Sequence, residues 1–197
     1  MTPPAEPVLE LFRSTGAYLK GHFRLTSGLH SPEYLQCALV LQHPAAAGDL
    51  GSRLAAALGA LAGRKIDLVA APALGGLIVG HETARALGAR FLFAERDAAT
   101  GKMTFRRGFT VSPGEVAVVV EDVVTTGGSV RDVIEALRAA GADVAAVGSI
   151  IDRGGGASDA GVPRVALATL QVAAYRPGEC PLCARGIPLV KPGSRPT

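Results

Sequence analysis

The apolar positions of the chain alternate between two periods. Between Glu6 and Leu19, the residues Val8, Leu9, Leu11, Phe12 and Leu19 recur at helical spacing, which predicts a first helix with Gly21 as its stop. His22 to Gln36 reads as two short extended pieces around a Ser27-Gly28 turn. Helical spacing returns between Pro44 and Leu61. From Asp67 the pattern runs strand (Leu68 to Ala71), glycine-rich turn, helix (Leu77 to Leu87) and short strand (Arg90 to Phe93). Glu95 to Gly108 lacks periodicity and is crowded with charge, so a loop is expected. Val116-Ala-Val-Val-Val120 is the clearest buried strand, with the acids Glu121 and Asp122 at its C-terminal end. Thr125-Thr-Gly-Gly-Ser129 then opens a helix to about Ala140, and Val144 to Ile151 is another strand. Strands alternating with helices predict an α/β fold with a parallel, doubly wound sheet. The end of the chain, with Pro181, Pro188, Pro192 and Pro196, reads as an irregular tail.

A length of 197 residues suits one domain with modest additions. With 48% hydrophobic and 19% charged residues the chain can bury a sizeable core. Aromatics are only 5% and Trp is absent, so that core is built from Ala, Val, Leu and Ile, and an RNA-binding sheet of stacking aromatics is excluded. A net charge of +3 suits an anionic ligand but is too mild for a nucleic-acid coat. Cys37, Cys180 and Cys183 are too few for a disulfide framework, so a reducing cytoplasm is the expected compartment. The N-terminus has no basic segment, and the longest apolar stretch, Leu68 to Gly80, is interrupted by Pro72, Gly75 and Gly76. Neither a signal peptide nor a membrane span is expected.

In an open parallel sheet, ligands bind outside the carboxyl ends of the strands. The loop Thr125-Thr-Gly-Gly-Ser129 can present backbone N–H groups and hydroxyls at a helix N-terminus, where unpaired donors and partial positive charge favour a phosphate. It is not a Walker A loop, since no Lys follows the glycines and Gly101-Lys102 is followed by Met103; no Gly-x-Gly-x-x-Gly follows a strand either. Two adjacent carboxylates beside an anion site would repel the ligand unless they bind vicinal hydroxyls or stabilise positive charge on a sugar ring. Both roles point to ribose.

The string Val118-Val-Val-Glu-Asp-Val-Val-Thr-Thr-Gly-Gly-Ser129 resembles the signature of type I phosphoribosyltransferases, which bind 5-phosphoribosyl 1-pyrophosphate. Three more strings narrow the resemblance to the orotate phosphoribosyltransferases: Gly21-His-Phe-Arg-Leu-Thr-Ser-Gly-Leu-His-Ser31, Ala71-Pro-Ala-Leu-Gly-Gly76, and Phe93-Ala-Glu-Arg-Asp97 with Gly101-Lys-Met-Thr-Phe-Arg-Arg-Gly108. It extends from about Leu9 to Lys191. It implies a single domain, with a core over about 44–168 and a small hood from about 1–40 and 170–197 covering the base. It further implies a homodimer with shared active sites, in which Glu95 to Gly108 is a mobile loop closing over the pyrophosphate of the neighbouring subunit. Arg96, Lys102, Arg106 and Arg107 outweigh Glu95 and Asp97 there, as a loop meeting a polyanion requires.

The resemblance also assigns residues. Glu121, Asp122, Val123, Val124, Thr125, Thr126, Gly127, Gly128 and Ser129 hold the ribose 5-phosphate and its hydroxyls, and Arg96 and Lys102 the pyrophosphate. Thr125, Arg153, His30 and Tyr34 meet the orotate, with Arg153 supplying the guanidinium fork that selects its carboxylate. Lys102, Asp122 and Arg96 are the expected catalytic residues. Mg²⁺ is the expected cofactor, held mostly by substrate oxygens, with Asp122 acting through water. Departures are visible: other branches of the family carry Lys where this chain has His30, Gly75 and Asp97.

The reaction implied is displacement of pyrophosphate from ribose carbon 1 by a ring nitrogen of orotate, through a transition state of oxocarbenium character. A ligand-sensing regulator on the same fold is the rival class. No helix-turn-helix or basic run is appended to support it. The same chemistry on uracil or a purine is another alternative. Other features read as structural. Cys180-Pro-Leu-Cys183 is one metal half-site with no second Cys pair and no His nearby, so no zinc is expected. His81-Glu82 reads as a helix-surface pair, because Arg85 stands where a metalloprotease has its second His. His22 and His43 read as turn or cap residues.

Overall fold

A computed structural model describes residues 5–25, 27–154 and 160–192; the first four residues and the expected tail beyond Pro192 lie outside it. Helix α1 (Glu6–Ser14) ends five residues before Leu19. The Thr15 hydroxyl donates to the Leu11 carbonyl at 2.7 Å and Gly16 turns to φ +66°, so Gly16 rather than Gly21 is the stop. Leu19 and Gly21 both lie in β1 (Tyr18–Arg24), which pairs antiparallel with β2 (His30–Leu35) around the expected Ser27-Gly28 turn. A short helix α2 (Cys37–Leu41) follows, too brief to show a period, and then the expected long helix α3 (Pro44–Ala62).

The remaining elements are β3 (Leu68–Pro72), α4 (Gly76–Leu87), β4 (Arg90–Arg96), β5 (Met103–Phe105), β6 (Val116–Val124), α5 (Gly128–Ala139), β7 (Asp143–Asp152), β8 (Arg164–Thr169) and α6 (Pro181–Ala184). They form a six-stranded sheet in the order β5-β4-β3-β6-β7-β8, parallel except for β5 at its edge. Two apolar layers sandwich it. Val118 and Val120 pack on one face with the leucines of α3, while Ala117 and Val119 pack on the other with Val133, Ile134 and Leu137 of α5. A strand buried on both faces has no polar side to show, hence the unbroken Val116–Val120 run. Each valine fully buried there contributes about 1.5–3 kcal/mol.

Two boundaries differ from expectation with consequences for the site. Strand β6 continues through Glu121 and Asp122 to Val124, because β7 keeps pairing with it as far as Val124 opposite Asp152. The charged segment after β4 is a tight hairpin, with Arg96 opposite Met103 and Ala94 opposite Phe105. Its turn is closed by the Asp97 carboxylate, which accepts the N–H groups of Ala99 and Thr100. It has an apolar side after all: Met103 is buried and Phe105 packs beside it.

The C-terminal segment returns to the first hairpin. Tyr175 and His30 exchange backbone hydrogen bonds at 2.8 Å, and Val190 bridges to the strand carrying Phe23. Val8, Leu9 and Phe12 of α1 pack with the α3 leucines. No helix among the described residues is long and apolar enough to cross a membrane.

Candidate active site

Chain direction across the sheet reverses between β3 and β6, which are neighbours although α4, β4 and β5 intervene in sequence. A crevice opens at such a switch point, and two helices, α4 and α5, begin beside it. Gly127 sits at φ +74° before α5, and that helix has neither a side-chain cap nor an acid in its first turn. Helix α4 starts from Gly75, again without a side-chain cap. With no side-chain cap at either start, the leading N–H groups of both helices point into the crevice as donors suited to an anion. A cavity of about 480 Å³ lies here, lined by Arg96, Glu121, Val123 and the 125–129 loop, with Ser27 of the β1–β2 turn at its rim.

The two acids occupy different surroundings. Burial first, and the negative charge of Asp122 second, push the Glu121 carboxyl well above the usual glutamate range. Glu121 therefore keeps a proton to higher pH than an ordinary glutamate and can donate as well as accept toward a hydroxyl. The Asp122 carboxylate accepts the Val123 N–H at 2.8 Å. It lies so close to the start of α4 that a Cβ on Gly75 would come within 2.7 and 2.8 Å of its two oxygens. Glycine at position 75, one of the departures from other branches, thus admits Asp122 to the crevice.

Arg153 follows β7, its backbone N–H held by the Val124 carbonyl at 2.8 Å. The turn beyond it is anchored by Asp152, which accepts the Gly154 N–H at 2.7 Å and pairs with Arg164 at 2.9 Å while nearly buried. A side chain on Gly154 would collide with the Thr125 carbonyl oxygen, so glycine lets the Arg153 turn touch the phosphate loop. Burial lowers the Arg153 guanidinium from its ordinary value, and the charges of Tyr34 and Glu33 oppose that. Burial also raises the Tyr34 phenol, with Asp122 adding to the shift and Arg153 countering it. Tyr34, Asp122 and Arg153 thus share one electrostatic neighbourhood. Cys37 adjoins it with an inert thiol, raised well above normal by burial and then by Asp122 and Glu121.

The hairpin cations are less available than their number suggested. Arg106 pairs with Asp97, Arg107 grips Glu95 through two bonds of 2.8 and 3.0 Å, and Arg96 pairs with Asp132 of α5 at 2.8 Å. Among the described residues, Lys102 is the hairpin cation without an ion pair, lining a cavity beside Arg96 and Asp132.

His30 is placed elsewhere than the orotate side proposed for it. Its ring is buried in the hood, with Nδ1 3.0 Å from His22 Nε2 and 3.3 Å from Cys183 Sγ. The backbone pairing with Tyr175 fixes that strand so that the ring enters the hood interior. His22 is likewise no turn residue: it is 2% exposed and its Nδ1 lies 2.7 Å from the Ile187 carbonyl oxygen. His43 stands at the start of α3, and His81 pairs with Glu82 on the surface of α4, as expected. Sequence reasoning noted Gly75 only as a departure from other branches and missed Asp132 and Asp152. Only the Gly75-Gly76 pair had left a signal, as a point of close backbone approach.

A glycine-rich turn at an uncapped helix start, a pair of adjacent acids and a half-buried guanidinium, gathered near one switch-point crevice, are the features expected of a class that transfers phosphorylated sugars. The sequence pattern described as the phosphoribosyl transferase domain matches residues 39–161. The orotate phosphoribosyltransferase of Pelotomaculum thermopropionicum is 56% identical over 190 residues, covering 96% of this chain and 97% of that one. The orotate phosphoribosyltransferase of Heliobacterium modesticaldum is 53% identical, covering 96% and 98%. Among solved structures, the orotate phosphoribosyltransferase of Aeropyrum pernix superimposes with a TM-score of 0.69 at 29% identity, over 83% of this chain and 94% of that one. The chain belongs to the phosphoribosyltransferases and, within them, to the orotate phosphoribosyltransferase family.

Proposed function

We propose that the protein transfers the 5-phosphoribosyl group of 5-phosphoribosyl 1-pyrophosphate to orotate, releasing pyrophosphate and forming orotidine 5′-monophosphate. The observation that carries this reading is the crevice lined by Glu121 and the uncapped start of α5, with Asp122 next in the strand and the half-buried Arg153 on the turn that packs against the Thr125 carbonyl.

The 5-phosphate rests on the N–H groups and hydroxyls of the 125–129 loop, and the ribose hydroxyls on Glu121 and Asp122. The pyrophosphate lies toward the start of α4, Arg96 and Lys102. The orotate carboxylate meets Arg153, with Thr125 and Tyr34 beside the ring. The bond from ribose carbon 1 to the pyrophosphate oxygen breaks and its electron pair leaves with pyrophosphate. The lone pair of the orotate nitrogen, already anionic, forms the new bond from the opposite face. No general base is required. The chain positions the two reactants, stabilises the cationic ring with Asp122 and gathers the leaving charge with Arg96 and Lys102. The hard carboxylate oxygens of Asp122, admitted by Gly75, fit Mg²⁺, which would be held through water and substrate oxygens and would supply charge neutralisation to the departing pyrophosphate.

Lys102, unpaired near the hairpin tip, is the residue one subunit donates to its partner in a homodimer. The transfer reading is checked by following loss of orotate absorbance with 5-phosphoribosyl 1-pyrophosphate. Orotate is consumed and uracil is not; consumption of uracil or a purine instead would overturn the base assignment. The shared site is checked by mixing inactive Lys102→Ala and Asp122→Asn proteins. Twofold symmetry leaves one intact site in each mixed dimer, so activity returns. Silence after subunit exchange verified by mass would show that the hairpin serves its own chain.

A further inference from the structure

The described part of the C-terminal segment, residues 171–192, has almost no reason of its own to stay folded. Cys180 is its one buried residue, and α6 is only four residues long. Leu189 and Val190 are 43% and 51% exposed. Apolar burial of this extent does not offset the ordering of twenty-odd residues, at about 1–2 kcal/mol of backbone entropy each. What the segment brings into the hood is instead a pair of thiols, Cys180 and Cys183, at the start of α6, where three-residue spacing sets both on one face.

Those thiols meet two imidazoles from the β1–β2 hairpin. His22 Nε2 lies 3.5 Å from Cys180 Sγ and 3.7 Å from Cys183 Sγ; His30 Nδ1 lies 3.3 Å from Cys183 Sγ and 3.0 Å from His22 Nε2. The four ligand atoms all fall within 4.8 Å of one another, and His22, His30 and Cys180 are buried. A tetrahedron with metal–nitrogen bonds of about 2.0–2.1 Å and metal–sulfur bonds of about 2.3 Å puts its corners roughly 3.3–3.8 Å apart; the three nitrogen–sulfur distances, 3.3, 3.5 and 3.7 Å, fall in that range, and the two nitrogens, 3.0 Å apart, need to part by a few tenths of an ångström. The His22 Nδ1 faces the Ile187 carbonyl at 2.7 Å, which fixes the proton on Nδ1 and leaves the Nε2 lone pair aimed into the cluster. A carbonyl behind an imidazole is the usual support of a metal-bound histidine.

We propose that His22, His30, Cys180 and Cys183 form a structural zinc site that staples the C-terminal segment to the hood hairpin. Two thiolates and two neutral imidazoles suit Zn²⁺, and the two thiol protons leave as the metal enters, so the filled site carries no net charge. Four protein ligands close the coordination shell and leave no position for substrate, so the site is distinct from the crevice. Its role is to hold β2, which also carries Tyr34, and it does not depend on the transfer chemistry proposed above.

The test is metal content of the full chain, purified without chelator, together with the absorption spectrum after replacement by Co²⁺. The expected result is about one zinc per chain and the intense visible bands of tetrahedral cobalt with a sulfur-to-metal charge-transfer band. Cys180→Ser with Cys183→Ser lowers apparent zinc affinity by at least about a hundredfold, whereas His81→Gln, on the outer surface of α4, keeps the metal. Cys183→His keeps a tetrahedral cobalt spectrum with about half the charge-transfer intensity, which a merely misfolded variant does not show. Chelation lowers the melting temperature of the wild-type protein, zinc restores it, and the double variant responds to neither. Metal-free protein that takes up no tetrahedral cobalt, unchanged metal in the double variant, or thiol titration revealing a Cys180–Cys183 disulfide would each overturn the site.

Discussion

The crevice and the hood cluster are built in opposite ways. In the crevice, Val118 to Ser129 supply strand, acids and phosphate loop as one string, and β6 fixes their geometry because its neighbours β3 and β7 hold it from both sides. In the hood, Cys180 meets His22 across 158 residues, brought together by the backbone pairing of Tyr175 and Val190 with the first hairpin and by the Ile187 carbonyl against His22. The crevice is a product of one element and its immediate turn, standing on a core that packs regardless of ligand. The hood is a product of tertiary closure, and its outer segment has little to close on but the four ligand atoms.

That contrast is broken first at Asp122. Asp122→Asn keeps size and removes the charge that strengthens its interaction only as the ribose becomes cationic. Turnover falls by about a hundredfold or more with the melting temperature nearly unchanged, as steady-state kinetics and a thermal scan will show. Unaltered turnover with a raised Michaelis constant would make Asp122 a simple hydroxyl binder.

Next in size is Arg153→Ala, where crevice and hood share a residue environment through Tyr34. An ionic hydrogen bond to a carboxylate contributes about 1.5–3 kcal/mol, so orotate affinity weakens about 10- to 100-fold while 5-phosphoribosyl 1-pyrophosphate affinity holds. Titration of both ligands by calorimetry decides it. Equal weakening of the two would remove Arg153 from the base pocket.

A smaller effect separates position from charge within the crevice. The methyl group of Gly75→Ala displaces the Asp122 carboxylate, whose oxygens lie 2.7 and 2.8 Å from that point, and turnover drops by roughly tenfold. Gly59→Ala, in α3 with nothing within 4 Å of the added Cβ, leaves turnover alone and raises stability by about 0.4–1 kcal/mol. If both variants keep full turnover, Asp122 has room to adjust and Gly75 is not what seats it.

The same division explains what the sequence could disclose. The parallel sheet, the long helix α3, the valine strand and the glycine turn that opens α5 were legible, because each rests on a period or on a turn residue within a few positions. The end of α1 was not, since Leu19 continued a helical spacing by coincidence while Gly16 in the left-handed conformation broke the helix. The hairpin at Arg96 and Met103 was hidden because its pairing is short and its turn is closed by the Asp97 side chain. The cysteine pair looked like half a site because its other half stands at the opposite end of the chain. His30 was assigned to orotate from its place in a family motif where other branches carry Lys, whereas the ring's nearest partners are His22 and, from the C-terminal segment, Cys183.

The smallest expected effect concerns Arg96 and Asp132. They are 49% and 37% exposed and 2.8 Å apart, so the pair itself contributes only about 0–1 kcal/mol to stability. Its interest lies in competition, because Asp132 occupies the guanidinium that the proposed pyrophosphate site uses, at the edge of the cavity both line. Asp132→Asn removes that competitor and one negative charge from the approach of a polyanion. The Michaelis constant for 5-phosphoribosyl 1-pyrophosphate then falls by about two- to fivefold, product inhibition by pyrophosphate strengthens in parallel, and both changes shrink as salt screens the exposed charges. A rise in that Michaelis constant would reverse the reading: Asp132 would then hold Arg96 in its productive pose, as a positioning residue for the leaving group.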